Sequence, residues 1–385
     1  MKLNHFVMED VLESLIDYRG KTPQKSEDGI PTLSAKSVKN GYIDYSECYY
    51  ISPEEYKRFM VRGFPKVGDI LLTTEAPMGM VARLDRDDVA IAQRLITLRG
   101  KEGILDNDYL LYYLQSPLGQ HKLAERETGS TVTGIKQAAF RKIEIDIPDI
   151  DVQKKISACL SCIDAKIETN KRINRNLQEQ AQAIFSKLYW EATAQSNFKS
   201  MINVLGGGTP KTGTESFWNG EIPFFTPKDV GAPYTFETEK TITDDGLAHC
   251  NSRLYPVNTT FVTARGTVGK VALAGVPMAM NQSCYALASD VLPALMVYFY
   301  SLEVVKSLKH KASGAVFDAI VTRDFDSEII RVLGNAEQAA FMDIAGPAFE
   351  QIHKNTMENQ RLQTIRDGLL PKLMSGELDV SDIDI

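Results

Sequence analysis

Two rhythms of apolar and polar positions alternate along this chain. Before about residue 148, and again between about 196 and 334, short β-branched and aromatic runs are bounded by Gly and Pro, a strand pattern. It predicts strands over 69–74, 80–84, 90–98 and 144–147, then over 260–263, 270–274 and 284–287. One amphipathic helix is predicted over 108–127, capped by Asn107 or Asp108, with a counterpart over 293–311. Strands plus a helix without regular alternation predict an α+β domain.

After Pro148 and Gly334 the spacing becomes four and three. The first seam holds Ile156, Leu160, Ile163, Ile167, Asn170, Asn174, Leu177, Ala181, Ile184 and Leu188. The second holds Phe341, Ala345, Ala348, Ile352, Asn355, Asn359, Leu362, Arg366, Leu369 and Leu373. Roughly five sustained heptads predict a coiled-coil helix, about 50 Å long at ~1.5 Å per residue. Pro347 predicts a kink or a helix start. The first helix leaves one domain for the other and the second must run back, so if they pack together they are antiparallel. Their centres then meet, and Asn170 and Asn174 face Asn355 and Asn359. Buried amides cost stability but select one register. The alternative places these asparagines on a solvated face.

The two halves repeat one another. With a shift near 190, 29–38 falls on 221–230, 68–82 on 258–272, and Gln93 on Gln282. From Gly129 onward the shift is a constant 185, so that Ile135 and Phe140 align with Ile320 and Phe325. The same shift brings Gln153, Asn170 and Leu188 onto Gln338, Asn355 and Leu373. The chain is a tandem duplication: a first domain over 1–150, a helical spacer over 151–195, a second domain over 196–335, and a second spacer with its tail over 336–385. The fold class is two similar globular domains joined by two long helices in an antiparallel, pseudo-twofold coiled coil.

Composition limits the function. The net charge of −7 argues against an autonomous, strongly basic DNA binder. The acid is uneven: residues 336–385 hold four basic against nine acidic side chains. Any DNA contact must come from local patches. No apolar run reaches the length of a membrane span, the N-terminus lacks a signal-peptide pattern, and five scattered cysteines fit a reducing compartment. A cytoplasmic protein is expected.

Several apparent motifs dissolve. Gly20-Lys21-Thr22 mimics the end of a phosphate loop, but Leu15 stands where its first glycine must be. Gly266–Lys270 has the wrong spacing, and Gly206-Gly207-Gly208 is a turn signal. Cys159 and Cys162 lie inside a predicted helix with no second pair, and are read as buried structural cysteines. The five histidines are isolated, Asp244-Asp245 reads as solvated, and no methyltransferase or helicase motif is present. Nothing suggests catalysis, and no cofactor or metal site is expected.

What remains is polar and basic loop residues at matching places in both domains. The first set is Lys36, Ser37 and Lys39 against Lys228 and Asp229. The second is Thr73, Thr74 and Glu75 against Thr263, Ala264 and Arg265, with Lys270 just beyond. The third is Thr131, Thr133 and Lys136 against Phe317, Asp318 and Val321. Arg94 and Gln282 belong to the aligned 90–98 and 282–287 segments. Hydroxyls and lysines suit phosphates, whereas Arg, Gln and Asn fork onto base edges. The scaffold repeats while these tips diverge, as expected if two similar domains read two different words.

Over nearly its whole length the chain resembles the specificity subunits of type I restriction–modification systems. The resemblance rests on the Ile-Pro-x-x-x-x-x-x-Val segments, on Gly68-Asp69-Ile70-Leu71-Leu72 with its repeat copy, and on the helical patterns of 153–189 and 338–373. It implies two target recognition domains, each reading half of a bipartite double-stranded DNA target, and two helices that set the spacer. It also implies two partner modification (methyltransferase) subunits, with restriction subunits joining. S-adenosylmethionine, ATP and magnesium are then expected only on those partners. The first domain departs from the family pattern at residues 75–79, where the second keeps Arg265–Gly269. The alternative is a non-enzymatic coiled-coil scaffold with two protein- or carbohydrate-binding domains.

Overall fold

A computed structural model describes residues 1–128, 133–231, 233–311 and 319–383. The chain divides into two compact units, Met1–Lys166 with Arg361–Ile385, and Ile167–Gln360.

In the first unit a four-stranded antiparallel sheet runs in the order Leu12–Asp17, Leu95–Gly100, Ile70–Thr73, Val81–Arg83. Its central pair is in register from Ile70 opposite Leu98 to Thr73 opposite Leu95. A second sheet pairs Ile30–Leu33 with Tyr49–Ile51, antiparallel, and with Ala90–Ile91, parallel. The single strand predicted over 90–98 is two, broken where Arg94 turns to a φ of +69°. The helix predicted over 108–127 is also two, Asn107–Gln115 and Pro117–Ala124. Ser116 ends the first and caps the second, because Pro117 lacks the N–H that would continue the ladder. The first cap is Asp106, which accepts from the Tyr109 amide at 2.8 Å.

The second unit repeats this plan. Its larger sheet runs Asn203–Gly206, Cys284–Ala288, Thr260–Thr263, Val271–Ala274, Tyr234–Thr235, and one helix, Ala294–Lys311, packs against it. In each unit a two-stranded ribbon closes the globular part: Asn4–Val7 with Glu144–Ile147, and Gln195–Asn197 with Ile329–Arg331. A buried glutamine then starts each long helix. Gln153 Nε2 donates to the carbonyls of Ile104 and Pro148, both at 2.8 Å, and Gln338 Nε2 donates to Leu333, the repeat equivalent of Pro148, also at 2.8 Å.

The long helices span Ile150–Glu191 and Asn335–Ser375. The second runs unbroken through Pro347, so no helix starts there. The proline ring costs one bond, to Asp343, and Pro347 and Asp343 both lie on the exposed face, where the freed carbonyl is open to solvent. Within the first unit Arg366 Nη1 reaches Asp164 at 2.7 Å. Within the second, Asn170 meets Asn359 and Asn174 meets Asn355. Partner numbers fall as those of the first helix rise, which is the antiparallel sense.

The seam residues Ile156, Leu160, Ile167, Asn170, Phe341, Ile352, Asn355, Asn359 and Leu373 are buried. Ile163, Asn174, Leu177, Ile184, Leu188, Leu362 and Leu369 are half-buried. Toward the ends the covered stripe drifts by one residue, to Phe185, Phe349 and Leu370, because a straight helix turns every 3.6 residues and its ends dock onto the globular cores. Phe185 stacks on Phe299 at 5.1 Å and meets Phe341 at 5.4 Å. Cys159 is half-buried and Cys162 exposed, which corrects their assignment to the core: Cys162 lies on the outer face of the helix.

Candidate nucleic-acid interface

Two of the loops that carry candidate residues close with matching hydrogen bonds in the two units while their tips differ. In the first unit the hairpin after Ile70–Thr73 is closed by Thr73, whose Oγ1 accepts from the Met80 amide at 2.9 Å. In the second, Thr263 Oγ1 accepts from the Lys270 amide at 2.9 Å. Gly79 and Gly269 donate to the carbonyls of Thr73 and Thr263, and both have positive φ (+88° and +71°), the region glycine enters without steric cost. Ile135 and Ile320 then bond the carbonyls of Thr74 and Ala264, at 3.0 and 2.9 Å. A repeated backbone fixes where each tip points.

The turn carrying the first candidate set is equally alike. Ser37 Oγ accepts from the Ser34 amide at 3.3 Å, and Asp229 Oδ2 accepts from the Thr226 amide at 2.8 Å. Each side chain closes its own turn, an arrangement Ser and Asp favour. That leaves Lys36 and Lys228 at exposed tips and Lys39 half-buried.

Four sequence-stated candidates are therefore corrected. Ser37 and Thr73 are fully buried and Thr74 nearly so, and their hydroxyls are spent inside the protein. Asp229 uses its carboxylate on Thr226 and on the Glu239 amide. All four shape loops; none faces out. Alternation along the sequence cannot separate a hydroxyl that closes a turn from one that leaves it. Thr131, Phe317 and Asp318 lie outside the described residues.

In the second unit the structure unites three candidates. Lys228, Arg265 and Gln282 line one open groove of about 450 Å³, with Thr209, Trp218 and Lys240. Lys240 Nζ lies 5.6 Å from the Trp218 ring centre, and Thr209 donates to Gln282 Oε1. Lys228 pairs with Glu239 at 3.3 Å. Among the described residues the Arg265 guanidinium makes no hydrogen bond or ion pair. The groove offers lysines, an arginine fork, an amide and an aromatic face, a set that meets phosphates and base edges alike. Sequence reading missed Trp218 and Lys240, although the chain has only two tryptophans.

Lys270 stands apart from that groove, beside Lys309. Burial, and then the charge of Lys270, push the Lys309 ammonium below its ordinary range. Two neighbouring ammonium groups favour an anion. In the first unit Thr133, Lys136 and Arg94 are exposed near Glu75, whose carboxylate lies between Arg19 and Arg94. Among the described residues no cluster of acids, histidines and cysteines could hold a metal ion, and no helix is long and apolar enough to cross a membrane.

Comparison with known proteins gives a concordant result. Residues 4–179 and 193–363 each match the family described as type I restriction modification DNA specificity domain. The type I restriction enzyme MjaIX specificity subunit of Methanocaldococcus jannaschii is 25% identical over 383 residues, covering 92% of this chain and 88% of that one. The HindI specificity subunit of Haemophilus influenzae is 21% identical over 402 residues, covering 81% and 87%. Among solved structures, the type I restriction–modification S subunit from M. genitalium matches the fold with a TM-score of 0.64 at 16% identity, covering 97% of this chain and 96% of that chain.

Proposed function

Because the chain belongs to the type I restriction–modification DNA specificity family, we propose that it reads a bipartite duplex target, one half-site per globular domain. The two long helices set the distance between half-sites and dock two modification subunits; restriction subunits join that complex. The chain itself performs no catalysis. S-adenosylmethionine for adenine methylation, and ATP with magnesium for restriction, belong to the partners.

The observation that supports this reading best is the pair of loops closed by Thr73 and Thr263. They share their hydrogen bonds but carry different side chains at the same place, Glu75 in one and Arg265 in the other. Two copies of one scaffold with different tips suit two different words. Lys36, Lys39, Thr133, Lys136, Lys228 and the Lys270–Lys309 pair take phosphates; Arg94, Arg265 and Gln282 take base edges.

The net charge of −7 makes the isolated chain a weak DNA binder whose affinity rises on assembly with its modification partner. Gel shifts of the chain with and without that partner, across a salt series, test this. Tight sequence-specific binding by the chain alone removes the assembly requirement. No salt-dependent DNA binding in either state would sink the reading in favour of a protein- or carbohydrate-binding scaffold.

A further inference from the structure

The first unit holds a three-residue arrangement that the reading above does not explain. Arg19 Nη2 donates to Glu75 Oε1 (3.2 Å), to Thr74 Oγ1 (3.2 Å) and to the Ile135 carbonyl (3.0 Å), so it is tied to the hairpin tip at two points and to the segment beside it at a third. The other carboxylate oxygen, Glu75 Oε2, lies 3.4 Å from Nε of Arg94. Arg94 is 51% exposed against 28% for Glu75. Among the described residues its two terminal nitrogens have no partner.

The backbone of Arg94 is itself unusual. Its φ of +69° is a conformation that a residue with a Cβ adopts at a cost. The Thr74 amide holds it there by donating to the Arg94 carbonyl at 2.9 Å. Strained non-glycine residues of this kind gather where a side chain must be aimed.

The second unit joins the same two loops in the same way, the Ala264 amide donating to the Ser283 carbonyl at 2.8 Å. There the hairpin tip carries Arg265 and the neighbouring loop carries Ser283. In the first unit the hairpin tip carries Glu75 and the neighbouring loop carries Arg94. On this pair of loops each unit has one unengaged guanidinium edge, supplied from opposite members.

We infer that Arg94 is the base-contacting arginine of the first domain, aimed by Glu75, and that it reads a guanine in the first half-site. This rests on the proposed DNA-reading function. Nε is the guanidinium nitrogen nearest Glu75, and the two terminal nitrogens, without a partner among the described residues, supply the paired donors that match the N7 and O6 acceptors of guanine in the major groove. A guanidinium kept beside a carboxylate loses less freedom on binding. Glu75 does not read a cytosine amino group, because both its oxygens face arginines.

The test uses the full-length chain assembled with its modification subunit and a library of random-sequence duplexes. Sequencing the bound fraction gives the preference at every position. Arg94→Lys keeps the charge and removes the fork; it should lower discrimination at one base pair of one half-site by roughly tenfold to a hundredfold. Glu75→Gln, in a positioning residue, should weaken preference at that same base pair and nowhere else, which a merely structural defect would not do. Arg265→Lys should relax one position in the other half-site. A uniform loss of affinity with an unchanged motif would make Arg94 a phosphate contact and overturn the inference, leaving the DNA-reading function intact. An unchanged motif and affinity in Arg94→Lys overturns it too. If Arg94→Lys and Arg265→Lys are both without effect on motif and affinity, the proposed interface itself is wrong.

Discussion

Asn170 Nδ2 donates to Asn359 Oδ1 at 2.9 Å, and the repeat-related pair answers it: Asn355 Nδ2 donates to Asn174 Oδ1 at 2.8 Å. A shift of 185 exchanges the two pairs. Around them Asn170 also donates to Glu358 and Asn174 to Thr356, while Asn170 Oδ1 is buried and has no hydrogen-bond partner among the described residues. A cluster that spends polar groups in an apolar seam specifies register at some cost in stability.

That cost can be measured. Asn170→Leu strands the Asn359 carbonyl oxygen and should destabilise the protein by about 1–3 kcal/mol. Replacing Asn170, Asn174, Asn355 and Asn359 together by leucine should recover most of this, while cysteine cross-links placed along the helices trap more than one register. Urea denaturation and the cross-linking pattern decide it; a single register in the quadruple variant would show that the asparagines do not set it.

The aromatic knot under the second domain should be the larger contributor. Phe185 is fully buried, with Phe299, Tyr300 and Phe341 around it. Phe185→Ala should cost about 3–5 kcal/mol, read as a lower denaturation midpoint. A loss below 1 kcal/mol would mean that the helix does not rely on this contact.

Gln153 satisfies three backbone groups where the first domain meets its helix, accepting from the Asp106 amide at 2.9 Å as well as donating twice. Gln153→Leu keeps the volume and leaves those groups unpaired. A loss of about 1–3 kcal/mol is expected, with hydrogen exchange speeding up at Asp106.

The Lys270–Lys309 pair predicts a pH dependence. Lys309 is held below the ordinary lysine range, so it loses its proton earlier as pH rises. DNA affinity of the assembled complex should therefore begin to fall at a lower pH than ordinary lysines would give. Lys270→Ala removes the repelling charge, so Lys309 titrates higher and the fall moves up in pH. The same variant should reduce the slope of log affinity against log salt by roughly one. An unchanged slope would exclude a phosphate contact at Lys270.

Much of this protein was legible without coordinates. A heptad pattern must bury one stripe whatever surrounds it, so residues 156–188 and 341–373 announced long helices, and connectivity made them antiparallel if they packed together. The repeat register carried the rest: residues aligned by a shift of 185 or 190 make equivalent hydrogen bonds, from Gln153 and Gln338 to Thr73 and Thr263. These properties follow from local periodicity and duplication, which a one-dimensional string records in full.

Tertiary structure alone decided which polar side chains face outward. Ser37 and Lys36 are neighbours, yet one closes a turn and the other leaves it. Arg19, Glu75 and Arg94 lie far apart along the chain and meet because adjacent strands bring their loops into contact. Trp218 and Arg265 come from two different sheets and meet only where both line one groove. A hydroxyl or a guanidinium binds whatever the fold sets within about 3 Å, and that neighbour is fixed by strand pairing, not by sequence distance.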